Sequence, residues 1–324
     1  MIEVVHPGIM TTVQDLGRPG QYRRGIPPSG ALDLESHRLA NALVHNREDA
    51  ASLEFTFMGP TLKFSSPVAF AVTGGEIPVM LNGEAIEPWQ SHQANTDDIL
   101  SFGFLQSGVR GYLSFSGGLA VPLYLGSAST LVNAGLGGIE GRKLITGDIL
   151  LTGEQTCRFV STRLDSRYRP QFPRDVELRY VPGLFDYRLT PEGRRDFSER
   201  IWTVTPNADR TGVRVSSPTK TPLEFVSRST PFGTGNNPSN VVDTGYPLGA
   251  IQLPAGIEPI VLSRDAVTAG GYCTAGAVIS ADLDRLGQAV THGKVKFVPV
   301  SLEEAAIARN ERRNRIAEAV HTLS

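Results

Sequence analysis

At 324 residues the chain is long enough for two cores of ordinary size, and 40% hydrophobic with 20% charged residues is a globular composition, which excludes a disordered chain. A formal charge of -2 excludes any general attraction for nucleic acid or an anionic membrane surface, and no stretch reaches the apolar length of a membrane span. The 34 glycines and 22 prolines favour many short strands joined by turns.

In chain order, residues 1–30 read as short strands and tight turns. The first helix is expected over 33–45, where Asp33 can cap the amino end and Leu39, Ala40, Leu43 and Val44 share one face. Strand then follows strand, at 52–57, 61–64, 68–73, 111–116 and 148–151, each bounded by Gly, Pro, Asn or Asp. The arginine-rich stretch after 163 breaks this rhythm and reads as a linker over 166–175. Beyond it come a strand at 176–181, a helix at 191–200 and a turn-rich loop over 219–240. Strands at 250–253 and 259–262 precede a helix at 280–290, where Leu283, Leu286 and Val290 align, and a strand at 294–300. A last, highly charged helix starts with Ser301 and Glu304 in capping-box spacing. The expected organisation is therefore a first β domain at 1–165, the linker 166–175, a second β domain at 176–300 and a carboxy-terminal helix at 301–324. AFAVTGG at 69–75, LSFSGG at 113–118 and AVTAGG at 266–271 form a weak echo of two related domains.

Several chemistries leave no trace. There is no G-x-x-x-x-G-K-[ST] and no G-x-S-x-G. Gly135, Gly137 and Gly141 miss the dinucleotide spacing and stand among strands, and the S-x-x-K of Ser217 and Lys220 lacks its companion motifs. The six histidines are scattered without metal-ligand spacing, so no metal site is expected. Cys157 and Cys273 are too few for a disulfide framework and suit reduced thiols in a cytoplasmic protein. The opening MIEVVHPGIM has no signal-peptide pattern.

What remains is a set of polar clusters around glycines. TTVQDLGR at 11–18 packs Gln14, Asp15 and Arg18 together. Arg18 can grip a carboxylate or phosphate and Asp15 can move a proton, although an Arg–Asp pair stapling a turn fits the same residues. IPPSGALD at 26–33 offers the Ser29 hydroxyl near a helix start. The run 116–142 supplies Ser127, Ser129, Thr130 and Arg142, its glycines fitting barrel corners. SRDAVTAGGY at 263–272 sets Arg264, Asp265, Thr268 and Tyr272 after an apolar strand, and is the most site-like segment.

In the same order these clusters resemble a known family. MTTVQDLGRPG, PPSGALDLESHRLANALVHN, the SGGLAVP, LGSAST and GLGGIEGRKL run, GAIQLP, DAVTAGGYCTAGAVISADLDRLGQ and VSLEEAAIARNERR are similar to the allophanate hydrolase subunit 2, or biotin-dependent carboxyltransferase-like, family over residues 11–313. The resemblance implies a mainly β fold of two tandem cyclophilin-like barrels with a few flanking helices. Free-standing members resemble the C-type component of ATP-dependent 5-oxoprolinase, which opens the lactam of 5-oxoproline to glutamate with A-type and B-type partner chains. The alternatives it implies are the carboxyltransferase half of a urea or amide carboxylase, with biotin carried on a partner chain, and a regulatory partner of a kinase-inhibitor-like protein. On that reading Asp15 and Asp265 are the catalytic candidates. Gln14, Arg18, Ser29, Arg142, Arg264, Thr268 and Tyr272 would bind a small amide or lactam and the phosphates of ATP, with no metal, nucleic acid or membrane involved. The chain departs from the family pattern at Val267 and Cys273, where a glutamine and a proline are usual, and at PNADRTGVR, which keeps Arg210, Gly212 and Arg214 but lacks the aromatic ring. The loop at 227–240 is longer than usual.

Overall fold

The computed structural model describes residues 1–154, 159–229 and 232–323, so Cys157 lies outside the described residues, as does part of the 227–240 loop. The fold is mainly β and divides into two compact units, one of residues 1–18, 29–172 and 313–324, the other of 19–28 and 173–312.

The first unit contains β1 (Ile2–His6), β2 (Met10–Gln14), α1 (Leu34–Leu43), β3 (Ser52–Thr56), β4 (Thr61–Phe64), β5 (Val68–Glu76), β6 (Val79–Leu81), β7 (Glu84–Ile86), β8 (Ser91–Ala94), β9 (Ile99–Phe102), β10 (Ser107–Phe115) and β11 (Ile149–Leu150). They form a six-stranded sheet in the order β11-β1-β4-β9-β6-β7 and a five-stranded sheet in the order β2-β3-β10-β5-β8. Both contribute to one core that includes Ile2, Val4, Leu53, Phe55, Phe64, Phe70, Leu100 and Phe115. Strand β5 is buried at every residue before Glu76, because α1 covers the face turned away from that core. Its run VAFAV accordingly lacks the polar–apolar alternation of a half-exposed strand. Leu39 and Leu43 of α1 pack with Ala71, Trp89 and Leu164.

The second unit holds β12 (Val176–Pro182), α2 (Pro191–Glu199), β13 (Trp202–Ala208), β14 (Gly212–Ser216), β15 (Asn240–Gly245), β16 (Ala250–Gln252), β17 (Ile260–Leu262), β18 (Ala269–Tyr272), β19 (Thr274–Val278), α3 (Leu283–Gly287) and β20 (Lys294–Pro299). Seven of these strands close a barrel in the order β12-β19-β16-β17-β14-β13-β20. A parallel pairing of β12 with β20, Val176 opposite Val295, joins its two ends. Closure removes exposed edges. Within it Phe197, Trp202, Tyr180 and Phe297 form an aromatic cluster, with Phe197 and Phe297 stacked at 4.8 Å. Strands β15 and β18 stand apart as a two-stranded ribbon.

Local signals behave as the chemistry requires. The Asp33 carboxylate accepts the Ser36 amide at 3.0 Å and caps α1, and Thr190 caps α2 through the Gly193 amide at 3.0 Å. The last helix, α4 (Leu302–His321), opens with the capping box: Ser301 N donates to Glu304 Oε2 at 2.7 Å and Glu304 N to Ser301 Oγ at 3.1 Å. The helix expected over 280–290 is shorter, because α3 covers only Leu283–Gly287. Asp282, which stands at its start, spends its carboxylate on the Arg179 guanidinium, at 2.7 and 3.0 Å, and leaves the helix start without a side-chain cap.

Candidate functional site

In the first unit the sequence cluster at 11–18 becomes a buried polar network. Asp15 follows directly on β2, and its Oδ1 accepts the Gly17 amide at 2.7 Å and the Ser127 hydroxyl at 2.7 Å, together with the Ser129 hydroxyl. Its Oδ2 accepts the Ala128 amide at 2.6 Å. Four donors on one carboxylate fix segment 127–129 against the 15–17 turn. Arg18, 1% exposed, donates through Nη2 to the Ser129 carbonyl and through Nε to Tyr124 O at 3.4 Å. Gly137 permits that approach: its φ is +69°, and a Cβ there would lie 2.8 Å from Arg18 Nη2. Gln14 donates to Thr12 Oγ1 at 3.0 Å and to Thr130 O at 3.1 Å. Ser29 is fully buried, with φ +52°.

The network continues through residues that sequence reasoning did not single out. Glu54 Oε2 accepts the Tyr112 hydroxyl at 2.7 Å and the Leu32 amide at 2.8 Å, and Arg110 Nε stands 3.8 Å from Oε1. The Tyr112 oxygen accepts the Asp33 amide at 2.8 Å. Burial and the Glu54 charge hold the Tyr112 phenol well above its ordinary value. His37 Nδ1 lies 2.9 Å from Ser52 Oγ and Nε2 lies 3.3 Å from Asn41 Nδ2. A neutral ring satisfies both contacts, with Nδ1 donating and Nε2 accepting. Burial pushes its pKa down to about 4, against the opposing pull of Asp15 and Glu54. Glu54 sits in SLEFT, where every residue but the last is buried, so no alternation marked it. His37 was one of six scattered histidines, and only the fold gives it partners.

Arg142 stands apart from this network. Its guanidinium holds Asp148 by two bonds of 2.8 and 2.9 Å and Glu140 by one of 3.0 Å. Those carboxylates raise its pKa further, and Asp148 also accepts the Ile145 amide at 2.9 Å.

In the second unit the segment 263–272 leads from β17 into the ribbon. Asp265 is gripped by Arg210, Nε to Oδ2 at 2.7 Å and Nη2 to Oδ1 at 3.1 Å, and its amide donates to Arg210 O at 2.9 Å. Both side chains are buried, a geometry in which charge and direction reinforce each other. Arg264 is 8% exposed, and its charge reaches Tyr22, where it opposes the upward shift that burial gives the phenol. Tyr246 clamps the ribbon. Its hydroxyl accepts the Tyr272 amide and donates to the Tyr272 carbonyl, both at 2.7 Å, while its own amide donates to Thr268 O at 2.9 Å. Gly270 leaves room for that ring, since a Cβ would meet Tyr246 Cε2 at 3.0 Å. Tyr272 and Val267 are exposed and Cys273 is fully buried, its thiol pushed up to about 11 by desolvation.

The structure thus brings Gln14, Asp15 and Arg18 onto the one segment 127–130, while Arg264, Asp265, Thr268 and Tyr272 follow one another from β17 into the ribbon, with Asp265 held by Arg210, and Thr268 and Tyr272 by Tyr246. Among the described residues no group of three or more His, Cys, Asp or Glu side chains is arranged to hold a metal, and no helix is long and apolar enough to cross a membrane.

A closed seven-stranded barrel with a projecting ribbon, and a two-sheet unit with buried carboxylates at its turns, define a mainly β protein whose polar clusters are organised by arginine and backbone amides. The chain belongs to the carboxyltransferase domain family, subdomains A and B, which matches residues 24–299. It is 34% identical to the C-type 5-oxoprolinase subunit of Haemophilus influenzae, over 98% of this chain and 96% of that protein. It is 33% identical to the urea amidolyase of Saccharomyces cerevisiae over 94% of this chain, yet it spans only 17% of that protein's length. Among solved structures, the urea amidolyase of K. lactis superposes with a TM-score of 0.91 at 33% identity, covering 98% of this chain and 20% of that one.

Proposed function

We propose that this chain is the C-type component of a cytoplasmic, ATP-dependent 5-oxoprolinase, active only when assembled with A-type and B-type partners. The observation that carries this reading is the match to the C-type 5-oxoprolinase subunit of Haemophilus influenzae, which extends over 98% of this chain and 96% of the relative. Amide resonance makes a lactam carbonyl a poor electrophile, and ATP supplies the activation that water alone lacks. The share of this chain is substrate holding. Asp15 is filled by four donors and Asp265 by a bidentate arginine, so both are assigned to positioning. Arg264, Thr268 and Tyr272 are assigned to the substrate: Tyr272 lies on the ribbon, whose register Tyr246 fixes, and Arg264 and Thr268 on the segment that leads into it. Arg18 and Arg142 are committed to Ser129 O and Asp148, which does not suit them to hold nucleotide phosphates, and ATP is assigned to the assembled complex.

The second reading, the carboxyltransferase half of a urea or amide carboxylase with biotin on a partner chain, draws on the 0.91 TM-score with K. lactis urea amidolyase. The two separate in one experiment. The purified three-chain complex is given ATP with 5-oxoproline, or ATP, bicarbonate and urea with a biotin carboxylase and its carrier. Glutamate formation supports the first reading. Urea-dependent loss of carboxybiotin without glutamate formation overturns it in favour of the second.

A further inference from the structure

Behind the ribbon, at the end opposite Arg264, two arginines converge without a carboxylate between them. Arg188, on the single-turn helix Asp186–Arg188, is 5% exposed and donates through Nη2 to Pro238 O and, at 3.3 Å, to Asn240 O. Arg228, half-buried near the start of the long loop, donates through its own Nη2 to the same Asn240 oxygen at 2.6 Å. Asn240 is the residue of β15 that faces Tyr272 of β18.

Two guanidiniums on one carbonyl oxygen place like charges side by side, which is costly when no anion separates them. Among the described residues neither arginine forms an ion pair, and Arg228 Nε is buried without a hydrogen-bond partner. Burial and the Arg228 charge both pull the Arg188 pKa below the usual arginine value, and the charges that oppose this come from Cys273 and Tyr187, not from Asp or Glu. Each guanidinium commits Nη2 to backbone, which leaves Nε and Nη1 of each as single donors on opposite edges, so an oxyanion would be held by one donor from each arginine and by their combined charge. That donor set matches the oxygens of a carboxylate or a phosphate.

We propose that Arg188 and Arg228 form a binding site for a small oxyanion, either the carboxylate of an organic acid or a phosphate, at the base of the β15–β18 ribbon. The ligand supplies the negative charge that the fold omits, and it locks Asn240, and through it the strand opposite Tyr272. The site stands whatever reaction the assembled complex performs.

The test is the thermal midpoint of the full chain in sodium chloride, with inorganic phosphate or 5-oxoproline substituted at matched ionic strength. A ligand that binds only the folded state raises the midpoint, by about 3 °C near saturation. A rise with phosphate alone assigns a phosphate site, a rise with 5-oxoproline alone assigns a carboxylate site, and either supports the proposal. Arg188 is buried and its loss threatens folding, so the informative variant is Arg228→Gln. It should melt at or above the wild-type temperature in chloride, because one of two repelling charges is gone, and should lose the response to either anion. Arg228→Lys keeps the charge but loses the Nε donor and should retain a weakened response. No rise with either anion in the wild type, or an undiminished rise in Arg228→Gln, would overturn the proposal.

Discussion

His37 is a neutral base sealed among Ser52, Asn41 and the charges of Asp15 and Glu54, with its pKa at about 4. In the unfolded chain a histidine titrates near 6.5, so the unfolded state takes up the proton first as the pH falls. The stabilisation is complete above about pH 6.5 and is lost progressively down to about pH 4, an effect of roughly 3 kcal/mol. Urea denaturation at pH 7 and pH 4.5 should show it, and His37→Gln should flatten that part of the profile. Asp15 makes a different prediction. Asp15→Asn keeps the size but turns one acceptor oxygen into an NH2 that must face either the Ala128 amide on Oδ2 or the three donors on Oδ1, at an expected cost of about 3 kcal/mol. Unchanged stability with lost turnover would instead mark Asp15 as a proton carrier. At this scale the sequence was partly readable. The 11–18 cluster announced itself by dense polar residues around Gly17, whereas Glu54, Tyr112 and Arg110 lie in strands and their partners come from distant segments. The Arg210–Asp265 pair joins residues 55 apart, and no local spacing announces it.

Among elements, those whose ends are set by nearby side chains were legible. Asp33 before α1, Thr190 before α2 and the Ser301–Glu304 box before α4 each satisfy amides within three residues. The start of α3 is set by Arg179, more than 100 residues away, and its shortness could not be read locally. The ribbon is the element that binds the functional reading to the fold. Tyr246→Phe removes both hydrogen bonds to Tyr272 while leaving the ring in place. Faster amide exchange at Tyr272, a stability loss near 1 kcal/mol and a clear fall in complex turnover are expected. An unchanged exchange rate would show that the ribbon is held by other means. The barrel core offers the contrast. Phe297 is fully buried and stacks on Phe197 at 4.8 Å, so Phe297→Ala should cost about 4 kcal/mol in a denaturant titration.

For the whole molecule, the mainly β character follows from glycine and proline content and from strand-like runs, and the family from motifs spread along the chain. Barrel closure did not show in the pattern, because the parallel pairing of β12 with β20 joins residues some 119 apart, as in Val176 and Val295. The chain spans 96% of the C-type 5-oxoprolinase relative but between 17% and 26% of the urea amidolyases and urea carboxylase it matches, and the larger activity is assigned, as proposed, to an assembly. In that assembly the proposed role is to hold the lactam while partners bring ATP. The most direct test is the rate of glutamate release from 5-oxoproline and ATP by the three-chain complex, compared with the same mixture lacking this chain. The account expects release that disappears on omission and returns when the chain is added back. Release that continues unchanged without it, or none from a fully assembled complex, would contradict the central claim.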